Sequence, residues 1–202
     1  MRKKCIPALV LATVLPSAIV AQQPIFWNSA RPLVWSDFHG RVRPSANGEQ
    51  VAETMSVLSW SFQYELNWSS QRCEFSLREI STTASFDPSG SWVRAGNETV
   101  TVLQHEQLHF DITELYRRRF VAIVAPYIEQ SHSCQSRSSR RAARDAEQGI
   151  RDLVQPLYED IWQAHLDTQA DYDQETGHGT NEAAQSSWSA RIAGELANTP
   201  AD

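Results

Sequence analysis

His105-Glu106-Gln107-Leu108-His109 fits the pattern H-E-x-x-H. Three of its side chains are the types that metal-assisted hydrolysis needs. On a helix successive residues advance about 100°, so His105 and His109 project about 40° apart, one turn from each other. Two imidazoles so placed can share one metal ion. Glu106 beside them can hold and deprotonate a water activated by that ion. The pattern alone is weak: with six His in 202 residues, a random match arises in roughly one such chain in a hundred. Its weight rests on the elements that position it and on a third ligand.

A catalytic zinc usually takes three protein ligands and keeps one position for water. Glu114 is nine residues past His105, about 180° around the helix, and Asp111 is also well off the histidine face. Both are expected to pair with arginines, Glu114 with Arg117 or Arg118 at i+3 and i+4. The stretch Tyr172-Asp173-Gln174-Glu175-Thr176-Gly177-His178-Gly179 is dense in ligand atoms. Gly177 and Gly179 there allow a close turn of the backbone. His178 is the first choice for the third ligand, Glu175 the second and Asp173 the third. In the expected reaction, Glu106 accepts a proton from the water and passes it to the leaving amine. Tyr116, about 20° from His105 but two turns beyond His109, reads as core or as a hydrogen bonder behind the ligands. Tyr172 is a candidate oxyanion donor. Of the remaining histidines, His39 reads as surface, His132 as loop and His165 as core.

Residues 1–21 read as a signal peptide: Arg2, Lys3 and Lys4, then a mostly apolar run from Ile6 to Val20, then Ala21 before the cut. That run is too short and interrupted to span a bilayer comfortably, and no later stretch is apolar enough to do so. The expectation is a secreted or periplasmic protein without stable membrane insertion. Removing the three cations takes the formal charge from −6 to −9 and leaves no Lys. Such a chain is a poor nucleic-acid partner. Arg137, Arg140, Arg141 and Arg144 read as the solvated face of a helix. Residues 22–202 suffice for one domain. Cys73 and Cys134 form an even pair that an oxidising compartment would join.

The N-terminal half reads as strands. Ile25–Trp27 and Leu33–Trp35 are short apolar runs. Leu58–Glu65 and Cys73–Leu77 alternate apolar and polar, with Ser81–Phe86 continuing the sheet. Asn47-Gly48 and Asp87–Gly90 are turn signals. The C-terminal half reads as helices: one from near Glu98, capped by Asn97, to about Ala125; one from about Ser138 to Thr168 with Pro156 inside; one from Asn181 to about Leu196. Ser131–Gln135 and Asp171–Thr180 read as loops. Trp35, Trp60, Trp92, Trp162 and Trp188 read as core. Strands followed by helices predict an α+β domain, an antiparallel sheet of four to five strands packed on the motif helix and two further helices.

The stretch His105-Glu106-Gln107-Leu108-His109-Phe110-Asp111-Ile112-Thr113-Glu114-Leu115 resembles the motif helix of a bacterial family of predicted secreted zinc-dependent proteases, long catalogued as a domain of unknown function. Trp35-Ser36-Asp37-Phe38 is similar to that family's Trp-x-Asp-Phe segment. Tyr172-Asp173, Thr176 and His178-Gly179 are similar to its Tyr-Asp-x-x-Thr-x-His-Gly segment. The resemblance covers nearly all of residues 22–202. It implies a zincin-like site in which His105 and His109 hold Zn2+ with Glu106 as the base, it favours His178 over Glu175 as the third ligand, and it strengthens the metal reading more than that of a peptide or protein substrate. The expectation is therefore an exported zinc metallopeptidase. An amidase acting on cell-wall peptides is a close variant. The competing class is a non-catalytic envelope protein with a structural metal or none, in which Glu106 would be turned into an ion pair or a fourth protein ligand would close the site.

Overall fold

A long β-hairpin is the platform of the molecule. The computed structural model describes residues 22–44, 46, 50–69, 72–135 and 138–201. The segment expected to be a signal peptide and the Asn47-Gly48 turn lie outside the described residues, as does Arg137. Strand β3 (Ser56–Trp68) pairs antiparallel with β4 (Cys73–Phe86) along its whole length. On the other edge of β4, β1 (Ile25–Phe26) pairs near one end and β6 (Ser131–Ser133) near the other, both antiparallel. A separate small ribbon joins β2 (Ala52–Glu53) to β5 (Trp92–Val93). The expected α+β class and antiparallel sheet are present.

The sequence made β4 look like two alternating pieces, and the pairing shows why they are one strand. Gln63 faces Glu79 and Tyr64 faces Leu77, so Arg78 is an extra residue in β4. A bulge shifts the side-chain parity of its strand by one. Phe75 and Leu77 point inward before it, and Ala84 and Phe86 after it. The partner β3 keeps one parity throughout, with Leu58 buried and Trp60, Phe62, Tyr64 and Leu66 packed on the same core.

Three helices cover this face. Helix α1 (Val100–Val124) starts at Thr99, whose hydroxyl accepts the Val102 amide at 3.2 Å, so the cap is Thr99 rather than Asn97. It buries Leu108, Ile112, Leu115, Phe120 and Val124 and yields to a 3-10 turn at Ala125–Tyr127, where Pro126 lies. Helix α2 (Ser139–Thr176) is continuous through Pro156 and runs eight residues beyond the expected end. Its Ala146, Ile150 and Val154 pack on the hairpin core. Helix α3 (Glu182–Asn198) is capped by Asn181 and buries Trp188 and Ile192 as expected.

Four local expectations are corrected. Leu33–Trp35 is not a strand: a 3-10 turn, Trp35–Asp37, begins there because the Asp37 carboxylate accepts the Val34 amide at 3.0 Å and is held by Arg31. Ser131–Ser133 is strand β6 rather than loop, tied down by the Cys73–Cys134 disulfide beside it. Asp111 pairs with Trp27 Nε1 and Gln107 Nε2, both at 2.8 Å, and not with an arginine. Residues 171–176 are the last turns of α2 and not loop. Among the described residues no helix is long and apolar enough to cross a membrane. Arg140, Arg141 and Arg144 are exposed, as a solvated face requires.

Candidate metal centre

Helix α1 presents His105 and His109 on one face, one turn apart, and both are directed at the C-terminal end of α2. There the chain must reverse to start α3. Gly177 has φ +54° and its amide returns to the Asp173 and Gln174 carbonyls, the left-handed cap that ends many helices. Gly179 follows with φ +84°, and a Cβ on it would lie 3.2 Å from the His105 side chain. Glycine there lets the backbone pass directly over the imidazole. This turn locks the end of α2 against α1 and brings Asp173 to the two histidines.

Asp173 Oδ1 lies 3.1 Å from His105 Nε2 and 3.1 Å from His109 Nε2. The two Nε2 atoms are themselves 3.1 Å apart. Two nitrogens and a carboxylate oxygen thus form a near-equilateral triangle. Ligands about 2.1 Å from a tetrahedral zinc stand ~3.4 Å from one another, close to these spacings. His105, His109 and Asp173 together could hold a metal ion. The triangle also needs positive charge. Burial alone would push the His109 imidazolium down, but the hydrogen bond and charge of Asp173 and the charge of Glu106 outweigh it, raising its pKa to about 9. Burial would likewise raise Asp173, yet hydrogen bonds from His105 and His109 hold its carboxyl well below the usual carboxylate range. A proton does here what a cation would do more fully.

Each imidazole is held from behind by a carboxamide. His105 Nδ1 donates to Gln185 Oε1 at 3.1 Å, and His109 Nδ1 to Gln169 Oε1 at 2.5 Å. Both rings therefore turn Nε2 toward the triangle. Tyr172 stacks on His105, with ring centroids 4.6 Å apart. Its hydroxyl is engaged with Gln185 Oε1 at 2.8 Å in the interior, so it orients the ligand side of the site and does not serve as an oxyanion donor in the cleft. Tyr116 is core, its hydroxyl on Thr168.

Glu106 is only 3 % exposed, and its Oε2 has no hydrogen-bond partner among the described residues. Burial pushes its carboxyl above the ordinary range, against the pull of His109 and His105. It lines a cleft of about 310 Å³ whose floor is the motif helix. One wall is the segment 50–56, which includes β2. The other is α2, through Trp162, His165, Leu166, Gln169 and Asp173. A hollow of about 660 Å³ shares Val51, Val102 and His178 with this cleft, so the groove continues past the triangle.

The three third-ligand candidates stand in different places. Asp173 is in the triangle. Glu175 accepts the Trp188 indole N–H at 2.7 Å, on the far side of α2. His178 is half-exposed at the cleft's rim, with its Nδ1 3.4 Å from Asp173 Oδ1. Gln169 and Gln185 were not anticipated. His165, Gln169 and Asp173 recur every four residues, a polar stripe that becomes visible once the helix is carried through to Thr176.

The chain matches no known protein family, no curated protein and no solved structure.

Proposed function

We propose that this protein is a zinc-dependent hydrolase, most simply a metallopeptidase of zincin-like build, working outside the cytoplasm. One observation carries the reading: a buried carboxylate, Glu106, with an unpartnered oxygen, lines a cleft beside a triangle of two imidazoles and a carboxylate. A buried, unsatisfied carboxylate is costly unless something completes it. The competing non-catalytic reading needs Glu106 in an ion pair or a fourth protein ligand closing the site, and neither is found among the described residues.

In this reading His105, His109 and Asp173 hold the metal, and the mixed nitrogen–oxygen donor set suits zinc. Zinc bound there would supply Lewis acidity, lowering the pKa of a water and polarising a carbonyl. The protein's own part is positional and protonic. Glu106 takes a proton from the attacking water as the new C–O bond forms, then delivers it to the nitrogen as the C–N bond breaks. Its raised pKa brings it nearer to the value at which it can both accept and return that proton. Gln169 and Gln185 keep the imidazoles from rotating away.

The groove supports an extended peptide substrate. β2 uses one edge on β5, through the Val51–Arg94 and Glu53–Trp92 pairs, and antiparallel alternation turns the Ala52 amide and carbonyl the other way. The Cys73–Cys134 disulfide supports export. The likeness of the motif helix to predicted secreted proteases points in the same direction.

Glu106→Gln tests the mechanism. It should keep zinc affinity within a few-fold and lower hydrolysis of an unstructured protein substrate by about 10²–10⁴-fold. Unchanged hydrolysis would rule out Glu106 as the base.

A further inference from the structure

Gln169 lies on α2 one turn before Asp173 and one turn after His165, and its carboxamide touches two of the histidines that line the cleft, His109 and His165. Its Nε2 donates to the main-chain carbonyl oxygen of His109 at 2.9 Å. A carbonyl oxygen can only accept, so this contact fixes which end of the amide is nitrogen. The atom 2.5 Å from His109 Nδ1 is therefore Oε1, which also only accepts. His109 must carry a proton on Nδ1, and when neutral its lone pair is on Nε2, the atom in the triangle. The second amide hydrogen is directed to His165 Nε2 at 2.9 Å. An amide nitrogen only donates, so His165 Nε2 accepts there and neutral His165 carries its proton on Nδ1, a buried atom with no hydrogen-bond partner among the described residues. The Thr113 hydroxyl donates to the same His109 carbonyl at 3.1 Å, and its oxygen lies 2.9 Å from His165 Nε2 and 3.4 Å from Gln169 Nε2.

We propose that Gln169 is a positioning residue of the metal centre: a single carboxamide sets the protons of His109 and His165 and aims His109 Nε2 at the metal. The link to metal affinity rests on the metal reading above. The proton assignment rests on geometry alone, because the His109 carbonyl fixes the amide whether or not a metal is bound.

The test uses the full-length protein, zinc titration against a chromophoric chelator, and two-bond 1H–15N spectra of the histidines at neutral pH. Gln169→Leu removes the acceptor and both donors, and zinc affinity is expected to fall about 10- to 100-fold. Gln169→Glu keeps an acceptor for His109 Nδ1–H but loses the donor to His165. It should hold zinc more tightly than Gln169→Leu does and move the His165 proton from Nδ1 to Nε2, since a carboxylate only accepts. Rescue of affinity together with a tautomer switch is not what loss of packing would produce. Wild-type affinity in Gln169→Leu, or a wild-type His165 protonated on Nε2, would overturn the proposal. Should Gln169→Leu fail to fold, the Gln169→Glu spectrum decides alone. Wild-type protein that takes up no zinc would overturn the metal reading, and the wild-type His165 spectrum would then uphold or overturn the proton assignment.

Discussion

Helix α1 carries two buried polar clusters, and they are finished differently. Near its middle, Glu114 accepts two bonds from Arg117, at 2.7 and 2.9 Å, and one from Arg118 at 2.7 Å. The arginines in turn cap the chain's last segment, Arg117 on the Ala201 carbonyl and Arg118 on those of Leu196 and Thr199. Each Glu114 oxygen is matched. Two turns earlier, Glu106 is just as buried and has an oxygen with no partner among the described residues. A completed cluster is a fastening for the C-terminal segment. An incomplete one beside a triangle of ligand atoms is a place for chemistry.

Damage to the two clusters should have opposite signatures. Glu106→Gln should remove activity and spare the fold, as set out above. Glu114→Ala should take the carboxylate from buried Arg117 and half-buried Arg118 and cost about 3–5 kcal/mol of stability, read by denaturant unfolding, with zinc affinity of the folded fraction unchanged. A Glu114→Ala protein of wild-type stability would dissolve the distinction.

A smaller effect separates the cleft wall from the fastening by pH. Burial, with the charge of His109, depresses His165 from 6.5 to about 4. Between those values the unfolded chain binds a proton that the folded chain does not. Its stabilising contribution is therefore complete above about pH 6.5 and is lost as pH falls toward 4, on the order of 3 kcal/mol in the metal-free protein. His165→Gln should flatten that acid limb, and an unaltered limb would show that His165 is not held neutral.

Much of the scaffold was legible because its periodicities are strong. Leu108, Ile112 and Leu115 mark α1, the alternation of β3 marks the hairpin, and the pairing of Glu114 with Arg117 and Arg118 followed from helical spacing. The site was only half legible. His105, Glu106 and His109 announce themselves, but which side chain stands beside the two imidazoles depended on where α2 ends. Residues 171–176 include two Asp, a Tyr and a Thr of weak intrinsic helix preference, ahead of two glycines, and so read as loop. The helix persists there because Tyr172 and Thr176 are fully buried and Gly177 caps it. Extending it by two turns puts Asp173 on the face of Gln169 and His165, whereas His178 falls in the turn beyond. The bulge at Arg78 was hidden for a similar reason: pairing, not composition, decides which residue is the extra one.

Zinc titration of the purified, chelator-stripped protein, with Asp173→Asn and His178→Ala measured alongside the wild type, decides whether the triangle of His105, His109 and Asp173 holds a metal. The wild type should bind one zinc per chain. Asp173→Asn should lose most of that affinity, and His178→Ala should keep it. A wild type that binds no zinc would contradict the metal centre itself, and loss in His178→Ala with retention in Asp173→Asn would contradict the ligand set drawn from the triangle.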